Sequence, residues 1–331
     1  MDNLTHSLTG VMLSRAGLNR WHPRATLLLV LCSNIPDADI ATLALGPIPY
    51  LDYHRHLTHA LAVAPLMALP PVALLRWLDR GKPFAWFPAL AIATLGVLVH
   101  LFMDSWNNYG VRLLLPFSAE WFALDGVYVV DPCILAVLAL ALAAPWLSRL
   151  VASEIGSRQK PSGRGWAIFA LLFLLAWTGG RVALHQRAVE TLAARRFAGQ
   201  EPLRVAAWPT PLNPFRWTGY VSTETFWRLQ DVNLLLPFDP DAGRTYFKPA
   251  DAARINAAKR TPEAQGFLRF SQYPVWRMVP VTEPEGGVAV EGVDVRFGSP
   301  EDGRFQLRVV LDQNLQVVSS TFSYSYGSLK R

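Results

Sequence analysis

The chain has 331 residues, 51% of them hydrophobic and 17% charged, with a net charge of +6 and a positive mean hydropathy. Soluble domains carry roughly a quarter charged residues, so a wholly soluble protein is disfavoured. The basic excess does not indicate nucleic-acid binding either. Its Lys and Arg residues lie in short loops between apolar runs, the pattern set by the positive-inside rule of membrane proteins.

In chain order, a short apolar stretch at 3–14 comes first. Five longer segments follow at about 25–45, 59–78, 84–104, 131–148 and 166–184. Each reaches or approaches the roughly 20 residues needed to cross a bilayer. The start has neither a basic region nor a small-residue cleavage site, so no cleavable signal peptide is expected. Cys32 and Cys133 lie in or beside apolar runs and offer neither a disulfide framework nor a CxxC pair. "ALHQRAVETLAARRFAG" reads as a polar helical connector. Beyond it come short β-type runs, "LRVAAWP", "RWTGYVSTETFWRL" and "GVAVEGVDVRFG", and two strands around Asp312-Gln313-Asn314. "PADAARINAAKRTPEAQGFLRFS" reads as helical. The expected architecture is an α-helical polytopic membrane domain over 1–185, about five long spans plus a short N-terminal helix. A helical connector over 186–202 leads to a β-rich α+β soluble domain over 203–331.

The basic residues set an expected topology. Arg15, Arg20 and Arg24 precede the first long span, and Arg76, Arg80 and Lys82 follow the second. Arg149, Arg158, Lys160 and Arg164 lie between the fourth and fifth. These loops should face the cytoplasm. Residues 46–58, 105–130 and the C-terminal domain should then be extracytoplasmic.

Six of the seven histidines lie within the first 100 residues, and four clusters stand out. "LTHSLTG" places His6 in the short apolar stretch. "SNIPDADI" sets Asp37 and Asp39 inside an apolar run, where carboxylates are costly. Pro36 should break that span near Asn34–Pro36 and free polar groups for ion binding. On a regular helix the two aspartates would diverge by about 200°. Both can serve one site only if the backbone is unwound there; otherwise one binds while the other caps or orients. "YLDYHRHLTHAL" holds His54, Arg55, His56 and His59, with Thr58 a plausible helix N-cap. "HLFMDSWNNYG" puts His100 and Asp104 on one helix face at i, i+4, a spacing that suits shared metal ligation. Trp106 suits the interfacial aromatic belt. Helical rise from Arg24 and Arg15 carries Asp37 and His6 to similar depths, roughly 20 and 14 Å from those arginines. Nitrogen and oxygen donors without thiolates suit Zn, Mn or Fe, and a metal with an open position can activate water.

"THSLTG", "SNIPDAD", "HRHLTHAL" and "HLFMDSWNNYG" together resemble the YdjM-like family of bacterial inner-membrane, metal-dependent hydrolases, one branch of which is described as LexA-regulated. The resemblance covers about residues 1–150 and continues more loosely through "AAWPTPLNPFRWTGYV". It implies a metal-dependent hydrolase of the inner membrane, with motif positions at His6, Asp37, Asp39, His54, Arg55, His59, His100 and Asp104. The family's third block reads HRGxTHS; here His56 and Ala60 stand at the Gly and Ser positions, which puts a role for His56 in doubt.

The expected function is hydrolysis at a divalent metal near the outer membrane face, zinc first, Mn or Fe as alternatives. Asp37 or Asp39, His59, His100 and Asp104 would be ligands. His6 and His54 would be ligands or acid/base groups, and Arg55 would hold an anionic group of a phosphate-bearing or lipid-linked substrate. The bilayer is the expected partner, and nucleic acid is not. The rival readings are a proton- or ion-coupled transporter, which also uses intramembrane Asp and His, and a noncatalytic scaffold.

Overall fold

The computed structural model describes residues 1–154, 163–302 and 305–323, the side chains of 151–153 aside. Arg158 and Lys160, which the topology reading uses, lie outside the described residues. Among those described, five helical segments are long and apolar enough to cross a membrane: Ala25–Leu45, Leu61–Leu78, Trp86–Asp104, Pro132–Leu150 and Arg164–Ala193. They follow the shorter helix α1 (Asn3–Ala16), which Asp2 caps through the amides of Leu4 and Thr5.

The first span is not one helix. α2 (Ala25–Cys32) stops, and a 3-10 segment, Ile35–Leu45, replaces it. Pro36 has no amide to offer the Cys32 carbonyl. The Asp37 amide turns to the Asn34 carbonyl, and the Ser33 carbonyl is released from the helix ladder. α3 (Pro47–Tyr53), an irregular stretch, α4 (Ala64–Leu78) and α5 (Trp86–Asp104) follow.

Two glycines let α1 and α5 close on α2. A Cβ at Gly10 would lie 3.1 Å from the Leu29 backbone, and one at Gly96 would lie 2.9 Å from Cys32 Cβ. Close backbone approach at small residues is how membrane helices pack without a hydrophobic drive. His6 lies four residues before Gly10 and His100 four after Gly96, one turn along each helix from the contact. The packing therefore fixes both imidazoles at one level.

α6 (Pro132–Glu154) and α7 (Arg164–Ala193) complete the bundle. Over its 30 residues α7 runs about 45 Å, longer than a hydrocarbon core of roughly 30 Å. Its last turns leave the bundle, and Ala188 and Leu192 pack on Trp217, Val221 and Val232. The boundary expected at residue 185 thus falls inside one unbroken helix.

The C-terminal region is built from two four-stranded antiparallel sheets. One runs β1 (Arg204–Pro209), β2 (Arg216–Ser222), β3 (Phe226–Asn233), β4 (Arg244–Phe247) in sequence order. The other follows α8 (Ala252–Lys259) and α9 (Pro262–Phe270) and runs β5 (Pro274–Pro280), β6 (Val288–Asp294), β7 (Gln306–Leu311), β8 (Val317–Ser323). Trp208, Tyr220 and Trp227 of the first sheet pack on Val275 and Val293 of the second. The far side of the second sheet takes Phe267 and Phe270 of α9. α9 in turn meets α3, where a Cβ on Gly266 would fall 2.6 Å from Ile48 Cγ2. Strands β4 and β5 were not foreseen. β4 is only four residues long, and β5 has Pro at both ends, which reads as turn punctuation.

The ends of the bundle differ. Arg24 pairs with Asp79, and Arg164 Nε donates to the Ala16 carbonyl. The ends of α1 and α4 and the starts of α2 and α7 therefore meet in one basic zone. The C-terminal domain docks at the opposite end, through Arg269–Asp52 at 2.7 Å and through Arg296, which donates to the Asn108 and Tyr109 carbonyls. Trp106 does not join an interfacial belt; it is buried against Met12, Met103 and Val127.

Candidate functional site

Four residues from three separate segments meet at the end of the bundle nearest the C-terminal domain: Asp37, His59, His100 and Asp104, each offering an atom within 4.8 Å of the others. His59, His100 and Asp104 are fully buried. His59 Nε2 lies 3.2 Å from His100 Nε2, 3.5 Å from Asp37 Oδ1 and 3.4 Å from Asp104 Oδ2. His100 Nε2 lies 3.7 Å from Asp37 Oδ1 and 3.5 Å from Asp104 Oδ2.

The tautomers follow from the contacts around the cluster. His100 Nδ1 lies 2.7 Å from the Ser33 carbonyl, the group released by the break in the first span. A carbonyl only accepts, so Nδ1 carries the proton and Nε2 presents its lone pair. Asp39 organises His59. Its Oδ2 accepts from the Arg55 amide at 2.9 Å and from the Thr58 hydroxyl at 2.8 Å. With its own hydrogen committed, Thr58 Oγ1 accepts from His59 Nδ1 at 3.0 Å. His59 Nε2 is thereby a lone pair as well. Two imidazole lone pairs and two carboxylate oxygens face one another across about 3.5 Å with no proton among them.

Asp37 and Asp39 therefore take different places. At three residues per turn the 3-10 segment separates i and i+2 by about 120°. Asp37 points into the quartet, and Asp39 reaches the far nitrogen of the same imidazole. The sequence reading left Asp37 and Asp39 as alternatives; it is Asp37 that stands with His59, His100 and Asp104. Asp39 is occupied by Arg55, Thr58 and His54, whose Nδ1 donates to Asp39 Oδ1 at 2.7 Å. Burial lowers the His54 pKa, and the Asp39 carboxylate opposes that shift.

Arg55 takes a left-handed backbone, with φ at 56°, a conformation uncommon outside glycine and kept only where the surroundings hold it. It turns the amide to Asp39 and the buried guanidinium inward, 3.0 Å from Asp104 Oδ2, over the Tyr109 ring, with further donation to Asn107 Oδ1 and the Gly110 carbonyl. Its Nε is enclosed with no acceptor among the described residues. The expected anion-binding arginine thus already has an internal carboxylate. His6 Nε2 lies 3.2 Å from Asp104 Oδ1, and its ring stacks on His100 at 4.0 Å. The Met1 ammonium also contacts Asp104 Oδ1. His6 braces Asp104 and does not line the adjoining cavity. His56 sits edge-on to Tyr53, away from the cluster. Thr58 is no helix N-cap, because a 3-10 turn, Leu57–His59, stands where a helix start was expected.

Three participants were missed: the Ser33 carbonyl, Thr58 as a hydrogen-bond relay, and Asn107. The Pro36 break was a signal for the first, since it implies released carbonyls three and four residues upstream. Nothing local marked Asn107.

A cavity of about 970 Å³ opens from Asp37, His54 and Arg55 and is closed on the other side by the C-terminal domain, through Trp208, Leu229, Arg296 and Phe297.

These features define a multi-pass membrane protein with a buried His/Asp cluster under a β-rich domain. The chain belongs to the YdjM inner membrane protein family, which matches residues 1–188 and so includes the whole cluster. Residues 253–331 match the YfhP C-terminal alpha/beta plait domain. The chain is also 28% identical over 156 residues to a Bacillus subtilis (strain 168) protein described as uncharacterized protein YfhP. That match covers 44% of this chain and 46% of the relative, so the chain spans less than half the length of the relative. No solved structure matches the chain.

Proposed function

We propose that this protein is a metal-dependent hydrolase of the bacterial inner membrane, with one divalent ion held by Asp37 Oδ1, His59 Nε2, His100 Nε2 and Asp104 Oδ2. The observation that carries this reading is the acceptor-only quartet. Four lone-pair donors at 3.2–3.7 Å repel one another unless a cation lies between them. A tetrahedral zinc shell with bonds of about 2.0–2.2 Å has edges of roughly 3.3–3.6 Å. The buried Asp39 and Asp104 and the half-buried Asp37 also outnumber the cationic Arg55 and Met1 ammonium, so the pocket is net negative before any ion arrives.

Asp39 through Thr58, and the Ser33 carbonyl, fix the tautomers of the two histidines, the usual office of groups behind metal-bound imidazoles. A divalent ion here would act as a Lewis acid and lower the pKa of a bound water. His54 lines the cavity beside Asp37 with Nδ1 already on Asp39, which leaves Nε2 to move a proton. Arg55 keeps Asp104 oriented and offers Nε–H toward an oxyanion. The C-terminal domain, opposite the basic zone, is extracytoplasmic in this reading.

The test is metal content by elemental analysis alongside hydrolysis of phosphate and carboxylate esters by the metal-replete protein. One ion per chain with ester hydrolysis supports the proposal. A metal-replete protein that hydrolyses none of them, and instead moves protons or ions across vesicles, overturns it in favour of a transporter.

A further inference from the structure

The cavity has two kinds of wall, and their arrangement bears on what it holds. Its floor is Asp37, His54 and Arg55, and its roof is the C-terminal domain, which adds the polar groups of Thr210, Ser299 and Asp302. Its side is apolar and belongs to the membrane part. Ile40, 59% exposed, lies within the span Ala25–Leu45, and Val130, 45% exposed, stands two residues before the span that begins at Pro132. With the span Ala25–Leu45 in the bilayer, the exposed Ile40 faces lipid, and Val130 stands at the membrane surface where the next span enters. One cavity therefore joins the charged cluster, the docked domain and the bilayer.

We propose that the cavity receives the head of a membrane lipid bearing an anionic oxyacid group, which enters sideways between Ile40 and Val130 while its tail stays in the bilayer. This rests on the metal reading above and adds the substrate class. The floor suits such a head. A divalent ion held there would supply a Lewis acid for an oxyacid oxygen, and the buried Arg55 Nε–H, which has no acceptor among the described residues, supplies a charge-assisted donor. The side suits the tail, which never has to leave an apolar medium, so only the head is desolvated on binding. The roof contacts only the head, which gives the C-terminal domain the part of selecting among head groups.

The test uses the full-length protein loaded with Co²⁺ in lipid nanodiscs, whose visible spectrum reports ligands at the ion. It is titrated with methylphosphonate and with hexadecylphosphonate. The long-chain compound should perturb the spectrum at a concentration at least about tenfold lower. Val130→Trp and Ile40→Trp narrow the side opening and remain compatible with the bilayer. They should raise the concentration needed for hexadecylphosphonate about tenfold and leave that for methylphosphonate within about twofold. Equal behaviour of the two compounds, or equal loss of both in the variants, overturns the proposal. A second arm needs no metal: a hexadecyl probe with a photoreactive group next to its head is crosslinked in the same nanodiscs. If Co²⁺ does not bind but peptides containing Ile40, Val130 or Leu229 are labelled, the hydrolase reading fails and the lipid cavity stands. Labelling confined to the outer faces of α6 and α7 removes the lipid cavity itself.

Discussion

Asp37 and Asp39 are two residues apart and chemically identical, yet their surroundings give them separable effects. Asp37 offers an oxygen to the quartet, whereas Asp39 works through Thr58 and His54. Asp37→Ala should abolish stoichiometric metal binding. Asp39→Asn should keep the ion but weaken it about 10- to 100-fold, the range for groups that orient a ligand, as read by competition with a chelator. Equal losses in the two variants would refute the assignment. Arg55 is the third case. A guanidinium cannot ligate a metal, so Arg55→Ala should retain metal and lose about tenfold to a hundredfold in affinity for a phosphonate, the worth of one charge-assisted contact. Arg55→Lys should recover only part, because the point charge cannot replace the planar fork that meets Asp104, Asn107 and the Gly110 carbonyl. Complete recovery in Arg55→Lys would mean that charge alone matters there.

At the level of elements, the site is held by backbone proximity as much as by side chains. Gly96→Val would press into Cys32 on α2 and displace the helix that carries His100. A cost of about 1–3 kcal/mol is expected, seen as a lower melting temperature in detergent. Gly179→Ala in α7, where a Cβ meets nothing within 4 Å, should instead stabilise by about 0.5–1 kcal/mol. The loop 105–130 holds a different lever in Asp125. It takes a left-handed backbone, with φ at 49°, and burial pushes its pKa up to about 7, with Asp294 adding to the shift and Arg296 opposing it. A raised carboxyl pKa contributes stability at low pH, and that contribution is lost as pH rises through about 7. Asp125→Asn accepts the same backbone and cannot ionise. The variant should match the parent below about pH 4, the ordinary carboxyl value, and melt higher at pH 8. A melting difference that does not change with pH would show that Asp125 titrates normally. The same scale separates what the sequence disclosed from what it hid. The five spans, the break at Pro36 and the paired strands around Asp312 are visible because periodicity and turn chemistry are local. The role of Ser33, the division between Asp37 and Asp39, and the continuity of α7 into the sheet depend on which segments touch. β5 hides between its prolines, and Asn107 acquires meaning only from the arrival of Arg55, 52 residues away along the chain.

For the whole molecule, the basic zone at one end and the cluster with its β-rich roof at the other make one oriented machine. A reporter fused after Arg331 should be active only outside the cytoplasm, and one inserted at Gly81 only within it; the reverse pattern would put the site on the cytoplasmic face. The proposed hydrolysis at the far face needs the ion, so the most direct measurement is the metal content of the purified full-length protein and two histidine variants. The account predicts one divalent ion per chain in the parent and in His56→Ala, whose ring lies outside the cluster, and its loss in His59→Ala. Metal-free parent protein after incubation with zinc, manganese or iron, or an ion retained equally in His59→Ala, would contradict it.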